Sequence, residues 1–273
     1  MKNNNKILIV PDVHLHHEQA EKIISKEKPD EIIFLGDAFD DFDDTPQMVY
    51  ETSEWFKWSL NQKNRSHIYG NHEIHYRFPN ATNNRCGGYE QYKSITINDI
   101  VKPDDWNKLK FFHVLDNKWL LSHGGIHPYW IDPVKFREEG EVSITLDKLV
   151  SKLEQDTKEC VKLLEENRYN WICIAGFSRS RSPFVGGLLW LDFGQEFHPI
   201  RGIHQIVGHT PSRDYVRWSF YKENDKEVSF SINGCEPVLS DKSSYNVCFD
   251  SYPALKWYGI YENKSLNINS FVE

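Results

Sequence analysis

The stretch EIIFLGDAFD, residues 31–40, decides the fold, because a short apolar run ends there in a glycine and two carboxylates. Such a run predicts a buried strand, and Gly36 marks the point where the strand stops. Asp37 and Asp40 then follow its carboxyl end. Open α/β sheets bind ligands at the carboxyl ends of their strands, so this stretch predicts a binding site together with a sheet.

Four other short apolar runs end in the same way. They are Lys6–Val10 before Asp12 and His14, Ser66–Tyr69 before Asn71 and His72, Lys118–Leu121 before His123, and Gly202–Val207 before His209. Carboxylates, imidazoles and amide oxygens suit hard or borderline divalent cations. Five such strand ends therefore predict a site for two metal ions, and they indicate metal-assisted hydrolysis of a phosphoester.

Composition narrows the classes of protein that fit. The 273 residues can form one large α/β domain or two small ones. The net charge of −8 disfavours non-specific binding of duplex nucleic acid. Five scattered cysteines without a C-x-x-C pair predict a reducing compartment. With no signal peptide and no apolar stretch of membrane-spanning length, we expect a cytoplasmic protein without membrane attachment. The sequence leaves the oligomeric state open.

The order of elements predicts one domain over residues 1–273. Residues 6–75 form a βαβαβ pattern, with a helix at Thr45–Asn61 that starts on an N-cap and Pro46. Right-handed crossovers then give a largely parallel sheet. Residues 76–110 are predicted to be irregular, either as a substrate-covering loop or as a plain surface excursion. Residues 142–168 have the clearest helical periodicity.

The chain after Phe184 has the pattern of a second sheet. Its predicted strands are Val185–Leu191, Ile203–Val207, Tyr215–Tyr221, Val228–Ile232, Tyr245–Phe249, Tyr258–Tyr261 and Leu266–Ile268. We expect this sheet to belong to the same domain, because His209 lies inside it.

The residue types suggest separate roles. Asp12 and His14 share one face of an extended segment, although a D-x-H pair alone is common by chance. Asp37 is the choice for a carboxylate that bridges two cations. Asn71 can ligate a metal without adding charge, whereas His72 can act as a general acid. Asp40 could orient His72 and favour its cationic form.

Taken in order, these motifs resemble the calcineurin-like metallophosphoesterase superfamily. The motifs are D-x-H at 12–14, G-D-x-x-D at 36–40, G-N-H-E at 70–73, H-G-G at 123–125 and G-H-T at 208–210. The resemblance implies an α/β fold in which two mixed β-sheets pack as a central sandwich flanked by helices. It implies a first metal on Asp12, His14 and Asp37, and a second on Asp37, Asn71, His123 and His209. It also implies a metal-bridging hydroxide as nucleophile and His72 as general acid, with Asp40 beside it.

One branch of the superfamily is especially similar. The segments 123–128, 188–192 and 201–202 resemble serine/threonine phosphoprotein phosphatases, bacteriophage phosphatases and diadenosine-tetraphosphate hydrolases. Those phosphoprotein phosphatases carry Arg where this chain has Asp41, and this difference weakens the case for a phosphoprotein substrate. Many nucleases and phosphodiesterases of the superfamily carry His where this chain has Pro211, and this difference weakens the case for a nuclease or phosphodiesterase.

Because Asp41 replaces that arginine, the residue that binds the substrate phosphate has to be found elsewhere in the chain. Arg179, Arg181 and Arg201 are the candidates, because a planar guanidinium suits bidentate contact with phosphate. The segment that holds the first two is equally compatible with a solvated basic turn.

We therefore predict a metal-dependent phosphomonoesterase that acts on a phosphoprotein or a nucleotide. Two divalent ions are required, with Mn²⁺ preferred and Fe, Zn or Ni compatible with the same ligands. Two alternatives remain: a nucleotide or nucleic-acid phosphodiesterase or nuclease, and a catalytically silent module that binds a phosphorylated ligand.

Overall fold

The structure is a computed structural model, and it describes residues 5–212, 216–221, 228–232, 244–251 and 255–271. The helices are α1 (His17–Glu27), α2 (Pro46–Leu60), α3 (Asn71–Arg77), α4 (Gln91–Ile100), α5 (Pro103–Trp106), α6 (Pro133–Glu139) and α7 (Leu146–Glu165). The strands are β1 (Ile7–Val10), β2 (Glu31–Phe34), β3 (Arg65–His67), β4 (Phe112–Leu115), β5 (Trp119–Ser122), β6 (His204–Val207), β7 (Val216–Tyr221), β8 (Val228–Ile232), β9 (Ser244–Cys248), β10 (Trp257–Glu262) and β11 (Ser265–Ser270). Short 3-10 turns lie at Thr82–Asn84, Pro128–Trp130 and Trp171–Cys173.

These strands form two mixed sheets. The first has the order β11-β10-β1-β2-β3, and the second has the order β4-β5-β6-β9-β7-β8. Strands β1, β2 and β3 run parallel in the first sheet, and β5, β6 and β9 run parallel in the second. Each sheet therefore has three neighbouring parallel strands whose carboxyl ends lie along one edge.

Alternate residues of the central strands face two different cores. Ile7 and Ile9 of β1 pack in one cluster with Trp119 and Leu121 of β5, which places this core between the sheets. Leu8 lies in a second cluster that includes residues of α1, α2 and α7. Because side chains alternate across a strand, a continuous apolar run can serve both cores. The predicted sandwich flanked by helices is confirmed.

Both long helices of the sequence prediction are present. α2 begins at Pro46, and Thr45 Oγ1 accepts a hydrogen bond from the Met48 N–H, as expected of an N-cap. α7 lies within the predicted 142–168 range and buries one apolar stripe. Among the helices of the described residues, none combines the length and the apolar character needed to cross a bilayer.

Two predictions about sheets are wrong. The last two strands, β10 and β11, do not join the second sheet, since β10 pairs antiparallel with β1 of the first. Val185–Leu191 is not a strand. The Gly187 N–H donates to Ile174 O and the Leu189 N–H donates to Ile172 O, so this segment pairs with the 3-10 turn at Trp171–Cys173. Tyr215, the first residue of another predicted strand, lies outside the described residues.

The prediction of an irregular segment at 76–110 is also wrong in part. Loop structure does cover Pro79–Glu90, but α4 and α5 follow it. α4 buries Ile97 and Ile100 as an amphipathic helix would, but it also buries Lys93 and leaves Ile95 more than half exposed, which inverts the usual pattern at these two positions. Because of this exchange of buried and exposed positions, the apolar periodicity of the sequence did not predict the helix.

Candidate metal centre

The two sheets bring all six predicted metal ligands to one place. Asp12 and His14 follow β1, Asp37 follows β2, Asn71 follows β3, His123 follows β5 and His209 follows β6. Five of the six side chains belong to residues that are almost completely buried, and His14 is partly exposed. The parallel strands therefore do what the sequence predicted: their carboxyl ends meet across the sandwich and converge on a common site.

Asp37 lies at the centre of this group. Its Oδ2 atom is 3.8 Å from His14 Nε2 on one side and 3.2 Å from His123 Nε2 on the other. His14 Nε2 is also 3.8 Å from Asp12 Oδ2. Two sets of potential ligands, Asp12–His14–Asp37 and Asp37–His123–His209, thus share this one carboxylate.

The second set is a convergence of atoms that carry lone pairs. His123 Nε2 is 2.9 Å from Asn71 Oδ1 and 3.1 Å from His209 Nδ1. Hard oxygen and imidazole nitrogen are ligands for divalent transition metals. A cation between these atoms would satisfy all of them together, so the residues present fit a metal ion.

Backbone carbonyls fix which nitrogen each imidazole offers. His123 Nδ1 donates to Leu35 O at 2.9 Å, and His14 Nδ1 donates to Asp40 O at 2.7 Å. In both rings the other nitrogen, Nε2, faces Asp37. Such outer hydrogen bonds are the usual means by which proteins orient histidine ligands.

Charge in the site also favours a cation. Burial and the neighbouring Asp250 carboxylate raise the pKa of Asp12 well above its ordinary value. Burial and the charge of Asp37 raise the pKa of Asp250 to about 7. Burial, reinforced by the positive charge of His123, lowers the pKa of His209 and keeps its imidazole neutral. Divalent cations would stabilise these carboxylates as anions and use the neutral imidazole as a ligand.

Strained backbone accompanies these ligands. His14, Asp37, Asp40 and His209 have φ values of 40°, 47°, 67° and 64°, in the left-handed region that residues with a Cβ rarely adopt. Conformations of this kind persist only where the surrounding structure enforces them, and they cluster at functional sites.

Glycines let the strand ends approach each other. A Cβ on Gly70 would lie 2.0 Å from Asp37 Oδ1, and one on Gly208 would lie 2.1 Å from Asp12 Oδ1. Glu73 then ties two of these ends together, because its buried carboxylate accepts hydrogen bonds from the N–H groups of Asp37, Ala38 and Gly70. The glycines of the G-N pair at 70–71 and the G-H pair at 208–209 are thus explained by contact distance.

His72 lies beside the metal ligands without being one of the six. Its Nδ1 is 2.8 Å from Asp40 Oδ2, and its Nε2 is 4.0 Å from Asp37 Oδ2. Burial acts to lower the pKa of His72, but the charges of Cys86 and Asp37 and the bond to Asp40 raise it well above the ordinary value. These neighbours therefore favour the cationic form of the imidazole, which has a proton to donate.

Asp40 is surrounded by donors that the sequence reading did not identify. Besides His72, its carboxylate accepts hydrogen bonds from His75, Tyr76 and the buried ammonium group of Lys93. Burial acts to raise the pKa of Asp40, but the bonds from His72 and His75 outweigh it and hold the pKa far below the ordinary value. Asp40 is therefore a permanent anion.

The site opens into a cleft of about 1230 Å³. His14, Asp37, Asn71, His72 and His209 line its floor.

The outer part of the cleft is formed by less regular segments. The loop 83–88 lines one wall, and residues of the 173–184 segment line another. Phe42, Tyr169 and Phe184 line the cleft with exposed aromatic rings. The site is thus accessible from solvent through a partly aromatic mouth.

The family model of the calcineurin-like phosphoesterases matches residues 5–213. The chain belongs to this family. It is accordingly a phosphoric ester hydrolase of a family that uses divalent metals at a dinuclear site.

This phosphoesterase is similar to several solved structures. One of them is a serine/threonine phosphatase from Saccharomyces cerevisiae, described as similar to human phosphatase PP5. The two chains share 15% identity with a TM-score of 0.48, over 100% of this chain and 82% of the yeast chain. No curated protein matches this chain significantly in sequence.

The arginines predicted to hold phosphate in this phosphoesterase are placed differently from one another. Arg179 lines the cleft, where its Nε donates to Asp192 Oδ2 at 2.9 Å. Arg181 and Arg201 do not line the cleft, and Arg201 pairs with Glu141 at 3.3 Å. Arg85, which the sequence analysis did not consider, also lines the cleft.

Asp250 is a further residue of this site that sequence reasoning missed. It is buried, it lines the cleft, and it follows β9 in the same way as the other acidic residues follow their strands. The run Tyr245–Phe249 was predicted as a strand, so its next residue, an aspartate, was a sixth example of the opening pattern.

Proposed function

We propose that this phosphoesterase hydrolyses phosphomonoesters with the help of two divalent ions. The ions would be held by Asp12, His14, Asp37, Asn71, His123 and His209. The observation that carries the proposal is the position of His72: its imidazole, oriented by Asp40, lies directly beside a cluster of metal ligands. Metal binding alone does not need such a donor, whereas cleavage of a phosphate ester does.

Each part of the site would contribute separately. When bound, the two cations supply an activated water and withdraw charge from the phosphoryl group. His72 donates its proton to the leaving oxygen. Asp40 keeps the imidazole in position and cationic, and its own four donors prevent it from taking the proton instead.

The cleft supports a substrate larger than a simple phosphate ester. Its volume of about 1230 Å³ exceeds that of most small-molecule pockets, which lie at roughly 300–1,000 Å³. Exposed aromatic rings at the mouth can stack on a base or cover part of a peptide. Arg179 and Arg85 can approach a phosphate there as bidentate donors. A phosphoprotein or a nucleotide is therefore the proposed substrate class.

Mn²⁺ is the proposed metal, and the cytoplasm is the proposed location. The ligand set consists of oxygen and imidazole nitrogen without sulfur, which suits Mn²⁺. Among the described residues, Cys86, Cys160, Cys173 and Cys248 are all free thiols. Free thiols support a reducing compartment.

A substrate panel assayed with Mn²⁺ tests this function. The panel contains aryl monoesters and diesters, phosphopeptides, mononucleotides and dinucleotides, and oligonucleotides. We expect monoesters to be hydrolysed faster than bis-aryl phosphate or single-stranded nucleic acid. Faster cleavage of diesters would favour the phosphodiesterase alternative instead.

Asp37→Asn provides the matching test of the metal centre. We expect it to abolish Mn²⁺-dependent hydrolysis, because both predicted metal sites lose the ligand they share. Asp43→Asn is the control, since this exposed carboxylate belongs to the same acidic segment and not to the cluster. Undiminished turnover by Asp37→Asn would refute the assignment.

A further inference from the structure

A second cluster of metal-ligating side chains lies beside the candidate centre, and the proposed function does not use it as a metal site. His72, His75 and Cys86 each offer one ligand atom, and the three atoms lie within 4.8 Å of one another. The two histidines are three residues apart on α3 and project from one face of it. Cys86 comes from the loop that lines the cleft opposite this helix.

Asp40 orients both imidazoles of this cluster. Its Oδ2 atom is 2.8 Å from Nδ1 of His72 and 3.1 Å from Nε2 of His75. Each ring therefore uses one nitrogen for the same carboxylate and keeps the other for a further partner. A carboxylate behind a histidine is the arrangement that fixes histidine ligands in metal sites.

Cys86 is at the correct distance to complete a metal site with His75. Its Sγ lies 3.3 Å from Nδ1 of His75, and its own N–H is directed at that nitrogen, which marks Nδ1 as an unprotonated acceptor. Zinc binds sulfur at about 2.3 Å and imidazole nitrogen at about 2.0 Å, so two such ligands stand roughly 3.5 Å apart in a tetrahedral site. Little movement is needed to close the pair on an ion.

The sulfur ligand separates this cluster from the dinuclear centre. The six ligands of the centre are oxygen and imidazole nitrogen, whereas the cluster adds a thiol. Soft thiolate ligands select Zn²⁺ over harder ions such as Mn²⁺. Three protein ligands leave one tetrahedral position open, as in zinc sites that also hold water.

We propose that His72, His75 and Cys86 bind one Zn²⁺ ion, and that this ion inhibits the enzyme by occupying the imidazole that acts as proton donor. Cys86 ligates as the thiolate and His72 as the neutral imidazole, so binding releases to solvent the proton of the cationic His72 ring and any thiol proton of Cys86. The inhibitory part rests on the proposed function, because it requires His72 to be the general acid. The zinc site itself does not depend on that role.

Metal binding is tested first, without any assay of activity. Full-length protein saturated with Mn²⁺ is titrated with Co²⁺, whose bond to a thiolate gives a charge-transfer band in the near ultraviolet. Zn²⁺ affinity is then measured by competition with a chromophoric chelator. We expect a thiolate–cobalt band, its displacement by one equivalent of Zn²⁺, and loss of the band in Cys86→Ser and Cys86→Ala.

Cys173→Ser is the matched control, because Cys173 also lines the cleft but lies outside the cluster. This variant should keep the band and the zinc affinity of the wild type, whereas Cys86→Ser should bind Zn²⁺ at least tenfold more weakly. Absence of the band from the wild type, or its persistence in both Cys86 variants, would overturn the site.

Inhibition is tested second, on the Mn²⁺-loaded enzyme. We expect Zn²⁺ to inhibit the wild type and Cys173→Ser alike. In Cys86→Ser the half-inhibitory concentration, measured relative to that variant's own zinc-free turnover, should rise at least tenfold. Equal inhibition of Cys86→Ser would show that zinc acts at the dinuclear centre, and the regulatory proposal would be wrong. If no variant hydrolyses any ester, the proposed function fails while the cobalt band still decides the zinc site.

Discussion

At the scale of single residues, the carboxylate of Asp40 accepts hydrogen bonds from four donors, one of which is the proposed general acid His72. The G-D-x-x-D pattern was enough to select it as the partner of His72, and the structure places the two side chains 2.8 Å apart. Its other partners, Tyr76 and Lys93, come from helices whose positions depend on packing. A motif identifies the residues that carry chemistry, but it does not show the surroundings that tune them.

The role of His72 predicts a dependence on the leaving group. A general acid matters most when the leaving oxygen is a strong base, because that oxygen then needs a proton in the transition state. We expect His72→Ala to lose about 10²–10⁴-fold in kcat on an alkyl or phenyl phosphate, and much less on 4-nitrophenyl phosphate. Steady-state kinetics over a series of aryl phosphates measures this. A loss of equal size on every ester would argue for a role of His72 in binding instead.

The burial of Lys93 predicts that its replacement greatly lowers the stability of the fold. Its ammonium group is almost completely buried and donates to Asp40, Asp44 and Gly88 O. Removing one partner of a buried ion pair leaves an uncompensated charge, which costs about 3–5 kcal/mol. We expect Lys93→Met to lower the free energy of unfolding in urea by about that amount.

Two further variants make the test of Lys93 specific. Lys63→Met removes an exposed lysine and should change stability by less than about 0.5 kcal/mol. Lys93→Met combined with Asp44→Asn should lose less than the sum of the single losses, because the two side chains form an ion pair. Full additivity would mean that the pair contributes no coupling energy.

At the scale of helices and strands, prediction succeeded where local pattern and tertiary packing agree. The strand β2 and the helix α2 carry their own signals: an apolar run, an N-cap and a proline in the first turn. The strand β4 was missed although Asp116-Asn117, both with positive φ, form the tight turn that joins it to β5. Asp and Asn adopt the left-handed backbone conformation more readily than most residues, and tight hairpin turns require it, so this pair could have predicted the hairpin. The helix α4 could not be found in this way, because Lys93 is buried through its ion pairs with Asp40 and Asp44, which lie far away in the sequence.

β3 carries a histidine that predicts a dependence of stability on pH. Burial, with the charge of Arg65, lowers the pKa of His67 from 6.5 to about 3, and its ring stacks on Phe34. The folded protein therefore keeps this ring neutral down to low pH, whereas the unfolded chain binds a proton below about pH 6.5. Its contribution to stability is complete above pH 6.5 and is lost as the pH falls towards 3.

Urea denaturation of the metal-free protein at pH 7 and pH 5 tests this dependence. From pH 7 to 5, His67 alone should cost the wild type about 2 kcal/mol. His67→Phe keeps an aromatic ring against Phe34 but cannot titrate, so the fall in its stability over this interval should be smaller by that amount. An equal fall in the free energy of unfolding of the wild type and of His67→Phe between pH 7 and pH 5 would contradict the assignment of His67 as a buried neutral residue.

At the scale of the whole molecule, the two sheets form one functional unit. The first sheet supplies Asp12, His14, Asp37 and Asn71, and the second supplies His123 and His209. β10 and β11 return to the first sheet after the chain has built the second, so the two are also joined covalently in both directions. The sequence could not show this return, because any two strands with alternating apolar residues are equally suited to either sheet. We therefore propose that residues 1–273 form a single domain.

This arrangement predicts that metal removal destabilises the whole molecule. Ions bound by ligands from both sheets would bind the folded state and not the unfolded chain, so Mn²⁺ at about 100 times its Kd should add about 2.7 kcal/mol to the free energy of unfolding. We expect chelation to lower the Tm of the wild type, re-addition of Mn²⁺ to restore it, and one cooperative transition in both cases. Asp43→Asn should respond in the same way, whereas Asp37→Asn should show almost no change in Tm, because its centre has lost the shared carboxylate. Differential scanning calorimetry measures these shifts. A metal-dependent Tm that persists in Asp37→Asn would place the stabilising ion elsewhere, and two separate transitions would refute the coupling of the sheets.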